Sequence, residues 1–227
     1  MTTNELLASA LLSEATYADL AGKTAPKDLE GALIAGGFSK SQAAKFVTQW
    51  RVVDHQPNTL TGMSATLFER LDSSGNGTGE FTLAVRGTEP SFIDQRDLFV
   101  DLPLATDRFS PQSLDLNDYY DRLVTEGKLS SSQQLTVVGR SLGGFLAQIF
   151  AYQHTDITQH AYTYDAPGIG GVVSQVLEKF GLSAKQLNNS LIDNLCDNWG
   201  QSKINARDNT PNLWAPRKTP SIPHSIR

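Results

Sequence analysis

The chain has 227 residues, enough for one sizeable core and too few to require two. A composition of 39% hydrophobic and 19% charged residues, with a net charge of −5, reads as globular and excludes the basic surface that nucleic-acid binding needs. The single cysteine, Cys196, excludes an internal disulfide and a thiolate metal cluster, and reads as a small buried hydrophobe.

Taken in chain order, residues 1–50 form a helical segment expected to pack on the remainder of a single domain spanning 1–227. The opening MTTNELLASALLSEATYADL has no basic leader, and Glu5 and Glu14 flank its apolar stretch, so it reads as an amphipathic helix rather than a Sec signal. The expected location is therefore the cytoplasm, or the exterior by a route that needs no signal peptide. No apolar run has the length of a transmembrane span. Ser39 and Gln42 have the spacing of a capping box for a helix running to about Trp50. Residues 63–71 and 81–85 are strand-like and flank a stretch dense in turn formers at 73–79, which predicts an antiparallel hairpin. That turn has neither the acidic ligands of a calcium loop nor the lysine and helix of a phosphate loop.

From there helices and strands alternate: helix over 114–129, strand over 135–138, helix over 142–154, strand over 161–164, helix over 172–180 and a weak strand over 203–207. Alternation of this kind predicts an α/β fold with a mixed, mostly parallel sheet covered by helices on both faces.

Chemistry concentrates in Gly139-Arg140-Ser141-Leu142-Gly143-Gly144, a G-x-S-x-G pattern between the apolar strand LTVV and the helix FLAQIFAY. A serine on a sharp strand-to-helix turn projects its hydroxyl above the sheet, and the flanking glycines leave room for the turn. The helix that follows directs free N–H groups at the same place, which favours negative charge there. Ser141 is thus a candidate nucleophile, and the N–H of Leu142 a candidate oxyanion donor. The strand FTLAV, ending in Arg86-Gly87-Thr88, offers Thr88 as the second donor.

A serine nucleophile needs a base and an orienting acid. Of the four histidines, His154 and His160 lie at the end of the helix after Ser141 or just beyond it, and His55 precedes the hairpin. His224 lies where the chain order Ser, Asp, His puts the base. Asp208, after KINAR, is the first candidate for the acid and Asp165, at the end of the strand after the nucleophile helix, the second. Asp193 and Asp197 read as helix or loop with no strand before them. No metal or cofactor is implied.

These residues resemble the class 3 lipase family, over roughly 50–227. Val85-Arg86-Gly87-Thr88 is similar to the family's strand ending in a hydrophobic-R-G-S/T motif, whose last residue lines the oxyanion hole. Asp97-Leu98 or Asp101-Leu102 resembles the D-L pair that follows the lid. The elbow resembles G-H-S-L-G-G, with Arg140 in place of the usual histidine. Residues 162–170, YTYDAPGIG, are similar to Y-G-S-P-R-V-G, and His224-Ser225-Ile226 to the H-S-I of bacterial relatives. The resemblance implies an α/β-hydrolase fold, Ser141, Asp208 and His224 as a triad, Asp165 as a structural residue, and a lid over 89–100 in which Phe92, Ile93, Leu98 and Phe99 face lipid. Only three residues follow His224, so the sequence reads as part of a longer protein or as a naturally short one.

The expected activity is carboxylic-ester hydrolysis through an acyl-enzyme, on a lipid or acyl-ester substrate, with transient contact at a lipid interface and no nucleic-acid partner. The alternatives are a catalytically weak or inactive accessory protein on the same fold, and an amidase or peptidase with the same triad.

Overall fold

The computed structural model describes residues 2–87, 102–166 and 191–195, with the backbone alone for 102–110 and 194. Three helices come first: α1 (Thr3–Ala15), α2 (Pro26–Ala35) and α3 (Lys40–Val47). Thr2 and Glu5 close a capping box on α1, and Ser39 and Gln42 close the expected one on α3. The third helix ends earlier than the sequence reading had it. Thr48 caps it, and Trp50 already belongs to a strand, β1 (Trp50–Gln56). The reason is a change of period: Trp50 and Val52 point inward on either side of an exposed Arg51, the alternation of a strand.

The hairpin follows as β2 (Ala65–Leu71) and β3 (Gly77–Val85), antiparallel as predicted. Its turn is organised by the Asp72 carboxylate, which accepts from the N–H groups of Ser74 at 2.8 Å and Asn76 at 2.9 Å. A long helix, α4 (Leu102–Thr125), begins earlier than its expected start and runs through Pro111. Then come β4 (Leu135–Arg140), α5 (Leu142–Gln153), β5 (Thr158–Tyr164) and β6 (Ile192–Leu195). The helix expected at 172–180 and the strand expected at 203–207 lie outside the described residues.

The six strands lie in the order β1-β2-β3-β4-β5-β6, antiparallel from β1 to β3 and parallel from β3 to β6. This is the mixed, mostly parallel sheet that the alternation predicted. Asp193 sits inside β6, which corrects its reading as helix or loop. The four-residue strand is too short and polar to be seen by hydrophobic pattern, and its pairing with β5 defines it.

Strand alternation builds two cores. Leu67, Leu83 and Val137 face one side, against Leu116, Tyr119 and Leu123 of α4 and Leu146 and Phe150 of α5. Their neighbours Phe68, Ala84 and Val138 face the other, against Leu12 of α1, Leu29 and Leu33 of α2 and Phe46 of α3. Both described crossovers, β3-α4-β4 and β4-α5-β5, advance in the same direction across the sheet. Right-handed crossovers advancing one way lie on one face. Among the described residues the opposite face is covered by α1–α3, so the N-terminal segment is part of the sheet's cover. No helix among the described residues is long and apolar enough to cross a membrane.

A charged cluster ties α4 to the edge of the sheet. The Asp54 carboxylate accepts from Arg122 at 2.8 Å and from Lys128. Burial pushes the Asp54 carboxyl up, but the two hydrogen bonds outweigh it and hold the group below the ordinary carboxylate range.

Three outcomes are expected from this packing and from the Asp54 cluster. Phe68 is fully buried and meets Phe46 edge-on at 5.6 Å between centroids, so Phe68→Ala should cost about 3–5 kcal/mol in a denaturant titration. Leu60→Ala, at a fully exposed turn, should change stability by less than about 0.5 kcal/mol. Because the folded pKa of Asp54 is depressed, its contribution is complete above about pH 4 and is lost as pH falls through the lower folded value. Asp54→Asn should therefore flatten the acid limb of a stability–pH curve.

Candidate active site

The parallel strands β3–β6 all end at the same edge of the sheet, where ligands bind in open α/β sheets. Ser141 stands at that edge, between the last residue of β4 and the first of α5. Its backbone has φ 54° and ψ −126°, a region that non-glycine residues avoid at a cost of about 1–3 kcal/mol. Such a conformation lasts only where the surroundings over-determine it. Here the Ser141 N–H donates to the Tyr164 carbonyl at 2.8 Å, and its carbonyl accepts from the Phe145 N–H at 3.1 Å. The side chain makes no capping bond to α5, so the hydroxyl is not spent on the helix terminus.

The glycines of the motif are close-approach positions. A Cβ on Gly139 would lie 2.4 Å from the Gly143 carbonyl oxygen. One on Gly143 would lie 2.3 Å from the Val85 carbonyl oxygen and 2.6 Å from the Gly87 nitrogen. One on Gly87 would meet the Arg140 carbonyl oxygen at 2.7 Å. All of these neighbours are backbone atoms, which cannot swing aside. The end of β3, the elbow and the first turn of α5 are thus pressed together. The N-terminus of α5, beginning at the buried Leu142, opens at the same edge.

Thr88, the next residue after Gly87, lies outside the described residues, as do the segment 89–100, Asp208 and His224. Asp165 is described. It follows β5 with φ 49°, and its N–H donates to the Leu195 carbonyl at 2.9 Å. Aspartate and asparagine tolerate that left-handed conformation better than other side chains.

The other three histidines are engaged elsewhere. His55, within β1, bonds Thr66 at 2.8 Å. The sheet thus begins at this residue's own strand, ahead of the hairpin. His154 bonds Asn117 at 2.8 Å and stacks on Phe150 with centroids 4.3 Å apart. His160 pairs with Asp193 at 3.1 Å. Burial lowers the pKa of both His55 and His154, so each favours its neutral form. In the sheet register His55 aligns through Thr66 and Ala84 to Val138, three strands from β4. That separation is about 14 Å at the usual strand spacing.

One feature of the site gave no sequence signal. Arg140, beside Ser141, donates to the Glu14 carboxylate of α1 at 3.0 Å, and its guanidinium lies 5.1 Å from the centre of the Tyr17 ring. More than 120 residues of chain separate these partners, so no local pattern announces them. Among the described residues no group of three or more His, Cys, Asp or Glu is placed to hold a metal ion.

No protein-family model and no curated protein sequence matches the chain. Solved structures do. The chain is similar to M37 lipase at 14% identity and a TM-score of 0.51, covering 83% of this chain and 66% of that one. It is similar to a deletion mutant of Rhizomucor miehei lipase, in its propeptide complex, at 17% identity and a TM-score of 0.50, covering 80% and 58%. The lipase of Rhizopus microsporus var. chinensis aligns at 16% identity and a TM-score of 0.49, over 80% and 65%. The chain thus spans two thirds or less of the length of these lipases. At such identities the likeness is one of fold: the sequence-level resemblance to class 3 lipases extends to three dimensions, and the chain has the α/β-hydrolase fold.

Proposed function

We propose that this protein hydrolyses carboxylic esters of lipids or other acyl compounds, with Ser141 as nucleophile, His224 as base and Asp208 as orienting acid. The observation that carries this reading is the strained Ser141 at the carboxyl edge of a parallel sheet, its hydroxyl uncommitted to the helix it precedes. The solved structures of like fold are named as lipases, which supports an ester bond as the target. In the proposed reaction His224 takes the Ser141 proton as the oxygen attacks the ester carbonyl. The N–H groups of Leu142 and Thr88 hold the resulting oxyanion. Collapse expels the alcohol, protonated by His224, and leaves an acyl-serine. Water, activated by the same imidazole, then releases the acid. The engagement of His55, His154 and His160 elsewhere supports His224 as the base.

The position of β6 brings a third candidate for the acid, Asp197, beside Asp208 and Asp165. This strand adjoins β5 and ends two residues before Asp197. Sequence pattern alone shows no strand before Asp197, and β6 supplies one. Asp208 stays the first assignment because it directly follows KINAR, the best-fitting strand-end context in the sequence.

Ser141→Ala should lower turnover of a p-nitrophenyl ester by about 10⁶, and a fluorophosphonate should label Ser141 and no other serine. Ser141→Gly should be equally inactive yet more heat-stable than Ser141→Ala, because glycine accepts φ 54° without strain. Wild-type protein that neither turns over esters nor takes the label would establish the accessory-protein reading. A substrate panel in which amides outrun esters would establish the amidase.

For the other two members, His224→Ala should match Ser141→Ala in its loss, and the wild-type rate should fall below about pH 6–7 as the imidazole protonates. Asp208→Asn should cost about 10⁴ in turnover, with Asp165→Asn and Asp197→Asn nearly normal. The same loss in Asp197→Asn, with Asp208→Asn active, would move the acid to the end of β6.

A further inference from the structure

We propose that α1 and the turn after it form a positioning clamp on the nucleophile elbow, acting through Arg140 and Tyr164; the inference rests on the reading of Ser141 as nucleophile. Besides the backbone packing at the glycines and the Phe145 N–H, two residues adjoin the Ser141 backbone. Arg140 precedes it, and Tyr164 accepts its N–H. The side chains of both are held by the N-terminal segment. Arg140 donates to Glu14 at 3.0 Å and lies over Tyr17. The Tyr164 hydroxyl donates to the Leu6 carbonyl at 2.8 Å and bonds the Ser9 hydroxyl at 2.7 Å. The Tyr17 hydroxyl also lies against Gly87, where a Cβ would meet it at 2.9 Å. One helix and its following turn therefore touch the ends of β3, β4 and β5, the three strands around Ser141.

Glu14 points to a tertiary purpose. It sits in the last turn of α1, where the helix dipole disfavours a negative charge and no basic residue offsets it. Its partner comes from the elbow. The two side chains are 44% and 39% exposed, and an ion pair so open to water adds little to stability. Its effect is geometric. The strained backbone of Ser141 persists only while its neighbours are held, and the Arg140 contacts hold the residue next to it. Releasing Arg140 lets residue 141 relax and displaces the hydroxyl. A displacement of about 1 Å at a reacting atom costs on the order of 10² in rate. Arg140, Glu14 and Tyr17 are thus positioning residues.

The test compares Arg140→Ala, Tyr17→Leu, Tyr17→Phe and Arg140→Lys in the full chain. Arg140→Ala and Tyr17→Leu should lower kcat on a soluble p-nitrophenyl ester by about 10- to 100-fold with KM nearly unchanged. Tyr17→Phe, which keeps the ring, and Arg140→Lys, which keeps the charge, should recover much of that loss. Hydrogen exchange at the Ser141 and Phe145 amides should quicken in Arg140→Ala while the amides of Leu83 and Val137 stay protected. Unchanged exchange at the elbow would overturn the clamp. So would exchange raised equally throughout the sheet, or a kcat loss that only follows a fall in thermal midpoint. Because exchange needs no substrate, it decides the clamp even if the wild-type protein proves to hydrolyse no ester.

Discussion

Ser141 is held at φ 54° by backbone packed against backbone, and the geometry of the whole carboxyl edge depends on that contact. Gly87, Gly139 and Gly143 are the places where the end of β3, the turn and the first turn of α5 meet with no space for a side chain. Were β3, β4 or the helix to shift, the contacts that exclude a relaxed backbone would open. A serine in that conformation stores strain that a glycine would release. Its retention next to an uncapped helix N-terminus is the kind of local conflict that proteins keep where chemistry is done.

The sheet carries this edge, and handedness decides how it is covered. Both crossovers that surround the elbow fall on one face, so α4 and α5 supply only half of the cover that a parallel sheet needs. The N-terminal helices complete it, with Leu12, Leu29, Leu33 and Phe46 packed under Phe68 and Val138. This makes α1 a neighbour of β3, β4 and β5 at their carboxyl ends. The same burial that stabilises the sheet brings Ser9, Glu14 and Tyr17 to Tyr164, Arg140 and Gly87.

Much of this was legible in the sequence, and for identifiable reasons. The elbow announces itself because its steric demands are local: two glycines, a serine, an apolar strand before and an apolar helix after. The hairpin turn after β2 and the cap at Ser39 are likewise short-range devices, written in adjacent residues. Short apolar runs located β2, β3 and β4, and the succession of strands and helices along the chain gave the fold class.

Tertiary structure alone decided the rest. β1 and β6 have weak patterns of their own, and it is pairing with β2 and β5 that makes them strands. Asp193 consequently belongs to the sheet, and Asp197 becomes a residue just past a strand end. The partners of His55, His154 and His160 come from 11, 37 and 33 residues away in sequence. Arg140 meets Glu14 across 126 positions. Hydrophobic period and turn chemistry record what a residue does with its near neighbours. Ion pairs, ring contacts and strand register between distant segments form only when two faces of the sheet are buried together, and no single stretch of sequence encodes them.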